Sequence, residues 1–103
     1  MASQMGFELT GEGGRYRLSG AAGYGNARRL LEAGRKCLAA DSRAEIDLAG
    51  LTSLDSAGLA VLLTWLSRAK SVGHELTYTA LPAALVATAR VAGVEALLGA
   101  TPA

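Results

Sequence analysis

A single cysteine, Cys37, and a single histidine, His74, are all the chain has of either residue. One cysteine excludes an internal disulfide framework and any metal site built on cysteine pairs, which suits a reducing cytoplasm. One histidine among dispersed carboxylates does not make a metal-ligand set. Neither sign of charge dominates: ten Lys and Arg are scattered among nine Asp and Glu, a formal net charge of +1. The basic footprint of a nucleic-acid binder is therefore missing. No apolar run approaches the ~20 residues needed to cross a bilayer. The N-terminus, MASQMGFELT, has neither the basic start nor the apolar middle of a secretory signal, so export and membrane insertion are not expected.

Catalytic motifs are also absent. There is no GxxxxGK[ST], and Gly11, Gly13 and Gly14 lead into a strand and not into a helix that could meet a phosphate. His74 falls in the turn after a helix, and no GxSxG surrounds Ser56, so a Ser-His-Asp device lacks its frame. The sequence reads as a non-enzyme with no cofactor and no catalytic or metal-binding residue.

What is present is a folded domain. Half of the residues are hydrophobic and 18% are charged, which argues against disorder, and thirteen glycines point to tight turns and helix ends. The most informative stretch is Ala44 to Leu66. Ala44, Ile46 and Leu48 alternate with Glu45 and Asp47, as in a half-buried strand that is expected to end at Leu48. Small and polar residues follow from Ala49 to Ser53. Asp55 and Ser56 then place side-chain oxygens where the first turn of a helix has unpaired N–H groups. From Leu59, the spacing of Leu59, Leu62, Leu63 and Leu66 predicts one helical stripe lying on the sheet.

The rest of the chain fits around this unit. Residues 1–5 are expected to be a loose terminus, and Phe7–Thr10 and Arg15–Ser19 read as a hairpin about a glycine-rich turn. Gly20–Gly25 is too rich in glycine to be regular, and Asn26 is placed to cap a helix running to about Ala40. Its stripe is Ala27, Leu30, Leu31, Gly34 and Leu38, with Arg28 and Arg29 on the wet side. The second helix should run from about Ala57 to Ser71, and a strand about Leu76, Tyr78 and Ala80 follows. Pro82 opens a third helix over Ala83–Ala92, and Val94–Leu98 makes a short final turn. The order β, β, α, β, α, β, α implies one α/β domain over residues 1–103. It has a mixed four- to five-stranded sheet, an antiparallel hairpin beside a parallel pair, and helices packed mainly on one face. Trp65 stands about 100° off the leucine stripe, placed to pack under the third helix or to serve as an exposed anchor.

The run Ile46-Asp47-Leu48, then Leu54-Asp55-Ser56-Ala57-Gly58-Leu59, then a leucine helix ending at Gly73, then Val91-Ala92-Gly93-Val94, resembles the STAS domain family of sulfate-transporter and anti-sigma-factor-antagonist modules. The resemblance covers nearly the whole chain and is strongest at the elbow. It divides at Ala57: phosphoregulated antagonists of this family carry a hydroxyl there, and this chain does not. Gly58 to Leu63 resembles instead the small STAS subunit of bacterial phospholipid-trafficking ABC transporters. That resemblance implies a cytoplasmic adaptor, peripheral on the inner membrane. It would bind the transporter's ATPase beside the permease and lipid-binding subunits, with Leu54, Asp55, Ser56, Ala57, Gly58 and Leu31 in the contact. Core burial is an equal reading for Leu31, and helix capping alone is the plain reading of Asp55 and Ser56. The rival is an anti-sigma-factor antagonist switched by phosphorylation at Ser56.

Overall fold

In the computed structural model residues 6–98 are described; the expected loose terminus, residues 1–5, lies outside them. The elements are β1 (Phe7–Glu12), β2 (Arg15–Ala22), α1 (Ala27–Leu38), β3 (Arg43–Leu54), α2 (Ser56–Ser71), β4 (Glu75–Thr79) and α3 (Ala83–Val91), with a 3-10 turn at Glu95–Leu98. The four strands lie in the order β1-β2-β3-β4. β1 and β2 form the antiparallel hairpin, turning through Gly13 and Gly14 at φ +64° and +84°, the left-handed pair that a tight hairpin turn needs. β2–β3 and β3–β4 are both parallel, each joined through a helix.

One face of this sheet carries Phe7, Leu18, Ile46, Leu48 and Tyr78, all buried against the helices. Glu8, Thr10, Arg17, Glu45 and Thr77 alternate with them and are exposed. On that open face the register sets opposite charges beside one another: Glu12 pairs with Arg15, Arg15 with Glu45, Arg17 with Asp47, and Arg43 with Glu75. Such neighbours stabilise a sheet modestly and keep the uncovered face wet.

β3 does not stop at Leu48. It continues to Leu54 because β2 also continues through Gly20 to Ala22, a stretch expected to be irregular, and the two backbones remain paired. The register shifts twice, between Arg17 and Ser19 and between Gly20 and Ala21, and each time β3 gains one residue over β2. Two bulges therefore reset the phase of alternation, so that Leu51 is buried and Leu54 half-buried on the same side as Ile46 and Leu48. Gly50 sits at the first shift, where a Cβ would lie 2.6 Å from the Ser19 Cβ.

Two further expectations are corrected. The buried stripe of α2 is Gly58, Leu59, Val61, Leu62 and Trp65, whereas Leu63 and Leu66 are only half-buried. Trp65 is buried, and it packs under α1 and not under α3. Its indole lies where a Cβ on Gly34 would be, 2.0 Å from Cε2, and its Nε1–H donates to the Leu31 carbonyl at 3.2 Å. The absent side chain of Gly34 is what allows the two helices to meet over a tryptophan. At the C-terminal end of α1, the Tyr16 hydroxyl donates to Asp41, whose carboxylate pushes the phenol up to about 12, and lies 3.1 Å from the Cys37 carbonyl. That ties β2 to the turn between α1 and β3.

Gly34→Ala is expected to lower unfolding free energy by about 1–3 kcal/mol, overpacking outweighing the ~1 kcal/mol helix-propensity gain. Urea unfolding followed by the fluorescence of Trp65 measures it. An unchanged midpoint would mean that the indole moves aside freely.

Candidate functional site

The elbow between β3 and α2 is built on one carboxylate. Asp55 leaves the strand in an extended conformation, and its Oδ1 accepts from the backbone N–H groups of Ala57 at 2.8 Å and Gly58 at 3.0 Å. These are donors that a first helical turn leaves without partners. Its Oδ2 accepts from the Tyr24 N–H at 3.0 Å. Hydrogen bonds from Tyr24 first, then Gly58 and Ala57, hold the Asp55 carboxyl below the usual carboxylate range. The same side chain thus starts α2 and fastens the loop after β2 beside it.

The approach of these two segments is close. The Asp55 N–H donates to the Ala22 carbonyl at 3.2 Å, and a Cβ on Gly58 would lie 2.1 Å from that same oxygen. Gly58 is buried for this reason and is not itself a surface. A Cβ on Gly23 would meet Asp55 Oδ2 at 2.7 Å. Asn26 stands at the start of α1, yet its side chain does not cap that helix as the sequence led one to expect. It turns back into the loop, where Oδ1 accepts from the Gly23 N–H at 3.0 Å and Nδ2 donates to the Ala21 carbonyl at 2.8 Å. Closing residues 21–26 on themselves outweighs one helix cap.

What remains outward is short and polar. Ser56 is exposed, and its hydroxyl makes no hydrogen bond to a described residue; Ala57 and Leu54 are half-buried. Asp55 does the capping alone, so Ser56 is not needed for it. Beside them stands Tyr24, 89% exposed. Together with residues 21–26 and 53–55 it lines an open depression of about 520 Å³. Tyr24 did not emerge from the sequence as a candidate. The available signal was an aromatic residue flanked by glycines, in a stretch with no alternation to carry it into the core. Leu31 is not brought to this depression. It sits in the second turn of α1, half-buried against the core, and its carbonyl receives Trp65.

The arrangement offers hydrogen bonds and contact area, and no paired nucleophile and base. Ser56 opens α2 and His74 follows its end, so the sixteen-residue helix holds them roughly 24 Å apart. Among the described residues no three His, Cys, Asp or Glu side chains are grouped so that they could hold a metal ion, and no helix is long and apolar enough to cross a membrane.

Comparison with known proteins bears on this site. The family described as "Mlab, STAS domain" matches residues 5–99. Among solved structures, one described as "Crystal Structure Analysis of Mglu" superposes with a TM-score of 0.58 at 18% identity. It covers 74% of this chain, which in turn spans only 20% of that protein, and the likeness is one of fold. No curated protein matches the chain in sequence.

Because the Asp55 carboxyl is ionised more readily in the folded chain than the ~3.9 of an unfolded aspartate, the stability it contributes is present above that value. It is lost as pH falls through the lower folded one. Asp55→Asn should therefore unfold at lower temperature than the native chain at pH 7, with the gap narrowing below about pH 4. Thermal scans of both proteins from pH 7 to pH 2.5 test this, and a constant gap would remove the charge from the account.

Proposed function

The chain belongs to the STAS domain family, in its MlaB-like branch, and from that premise we propose that it is a non-catalytic adaptor for the ATPase of a phospholipid-trafficking ABC transporter. It would act on the cytoplasmic side, peripheral to the inner membrane through that complex, which also holds permease and lipid-binding subunits. Its task is to support the assembly and activity of a machine that maintains outer-membrane lipid asymmetry.

One observation carries this reading. Asp55 takes up the helix N–H groups, which leaves Ser56 exposed and uncommitted beside the short side chain of Ala57. Short side chains let a partner's backbone approach, Ser56 supplies a hydrogen bond, and Tyr24 supplies an aromatic anchor of the kind that dominates binding energy. A surface that merely ended a helix would require none of the last three. Leu54 belongs to the rim, and Leu31 would join only if the partner also reaches α1. Residue 57 is alanine, which weighs against the phosphoregulated antagonist. The free Ser56 hydroxyl favours that second reading to a lesser degree, since a phosphate there would gain from the helix N-terminus and be opposed by Asp55.

Co-purification of the tagged chain from its native membranes tests the proposal, with an ABC ATPase and its permease expected in the bound fraction. Ser56→Asp and Ala57→Arg should each abolish that capture while leaving the thermal midpoint nearly unchanged, and Tyr24→Ala should weaken it. Recovery of a soluble kinase-like anti-sigma factor would overturn the adaptor reading.

A further inference from the structure

The folded chain sorts its charges in a way the sequence order conceals. α1 and α2 carry Arg28, Arg29, Arg35, Lys36, Arg68 and Lys70 against one acid, Glu32. The remaining four bases share the rest of the chain with eight acids. A cavity opens in the middle of this basic layer, between the C-terminal halves of the two helices.

Its volume is about 270 Å³, and Leu38, Ala39, Trp65, Ala69 and Val72 make it largely apolar. Gly34 lines it with backbone alone, the space of its missing side chain being taken by the Trp65 indole. Arg35, Arg68 and His74 complete the lining. Arg35 forks onto Glu32, its Nε at 3.0 Å, so its charge is largely answered. Arg68 forms no ion pair among the described residues.

We propose that this cavity binds a small amphiphilic anion, an alkyl or aryl carboxylate of about ten non-hydrogen atoms. The apolar body would lie against the Trp65 indole and the carboxylate would face Arg68. Each half of that description has its own cause. Apolar walls hold water poorly and gain dispersion contacts from a hydrocarbon occupant. A guanidinium matches a carboxylate in plane and charge, and partial exclusion of water strengthens the pair. The volume lies just below the range of about 300–1,000 Å³ typical of drug-sized ligands, which selects a short chain or a single ring. The cavity is separate from the elbow: Arg68 lies twelve residues beyond Ser56 on α2, roughly 18 Å along its axis.

Trp65 is the only tryptophan in the chain and reports on the cavity directly. The test titrates the intact protein with sodium octanoate at low ionic strength, below micelle formation, while following Trp65 emission. Octyltrimethylammonium and an acidic amphipathic peptide serve as comparison ligands. A saturable one-to-one response to octanoate is expected, with none to the cationic amphiphile. Arg68→Glu should weaken octanoate binding about tenfold or more, and Ala69→Phe should block it by filling the cavity. Circular dichroism checks both folds, and Arg68→Glu, on an exposed side chain, carries the test if Ala69→Phe does not fold. Ser56→Asp should bind octanoate as the native chain does, whatever becomes of the elbow's own partner. A response that never saturates, or one equal in Arg68→Glu, overturns the proposal. So does saturation by the peptide alone, which would give the basic face to a protein partner.

Discussion

Three backbone N–H groups converge on the carboxylate of Asp55, and the upper end of the molecule depends on that convergence. Two of them belong to the first turn of α2 and one to the loop after β2. Without the carboxylate the helix would begin with unanswered donors, and the loop bearing Tyr24 would lose a side-chain fastening to the elbow. Because a single side chain meets both needs, its neighbour is released from structural duty. Ser56 can stay uncommitted because Asp55 supplies the cap. The glycines on either side complete the arrangement: Gly58 lets the helix press on the Ala22 carbonyl, and Gly23 leaves room for the carboxylate itself.

The sequence made the order of elements legible because the hairpin, the central strand and the caps each have a strong local signature. The Asp55 cap, the hairpin turn at Gly13 and Gly14, and the helix stops at Gly73 and Gly93 are all local chemistry, decided within a few residues. What escaped was decided across the chain. β3 looked finished at Leu48 because two bulges break the alternation that marks a strand, and those bulges exist only in relation to β2. Asn26 has the composition of a cap, yet its side chain is claimed by Ala21 and Gly23. Trp65 lies off the leucine stripe because its place is set by a gap in α1 at Gly34.

The site was legible to a similar depth. Residues 54–58 are contiguous, so a motif found them together. Tyr24 enters through a hydrogen bond spanning 31 positions, and Leu31 stays apart on α1. Charge behaves alike. Six of the ten bases collect on two adjacent helices, while the sheet's open face alternates signs across strands. A near-zero net charge therefore says little about the fields that individual faces present.

The two bulges in β3 also bear on how such a chain can be inherited. Each resets which side chains point inward, so each divides the strand into segments whose apolar pattern holds independently of the others. Loss of one codon at Ala49 or Gly50 would restore a regular ladder and leave Leu51 opposite Gly20 on the buried side. Loss of one codon earlier in the strand, at Asp47, would turn Leu48 toward solvent unless the bulge moved to absorb it. Along this strand, each bulge is a place where one residue can be lost without carrying the apolar side chains beyond it to the other face.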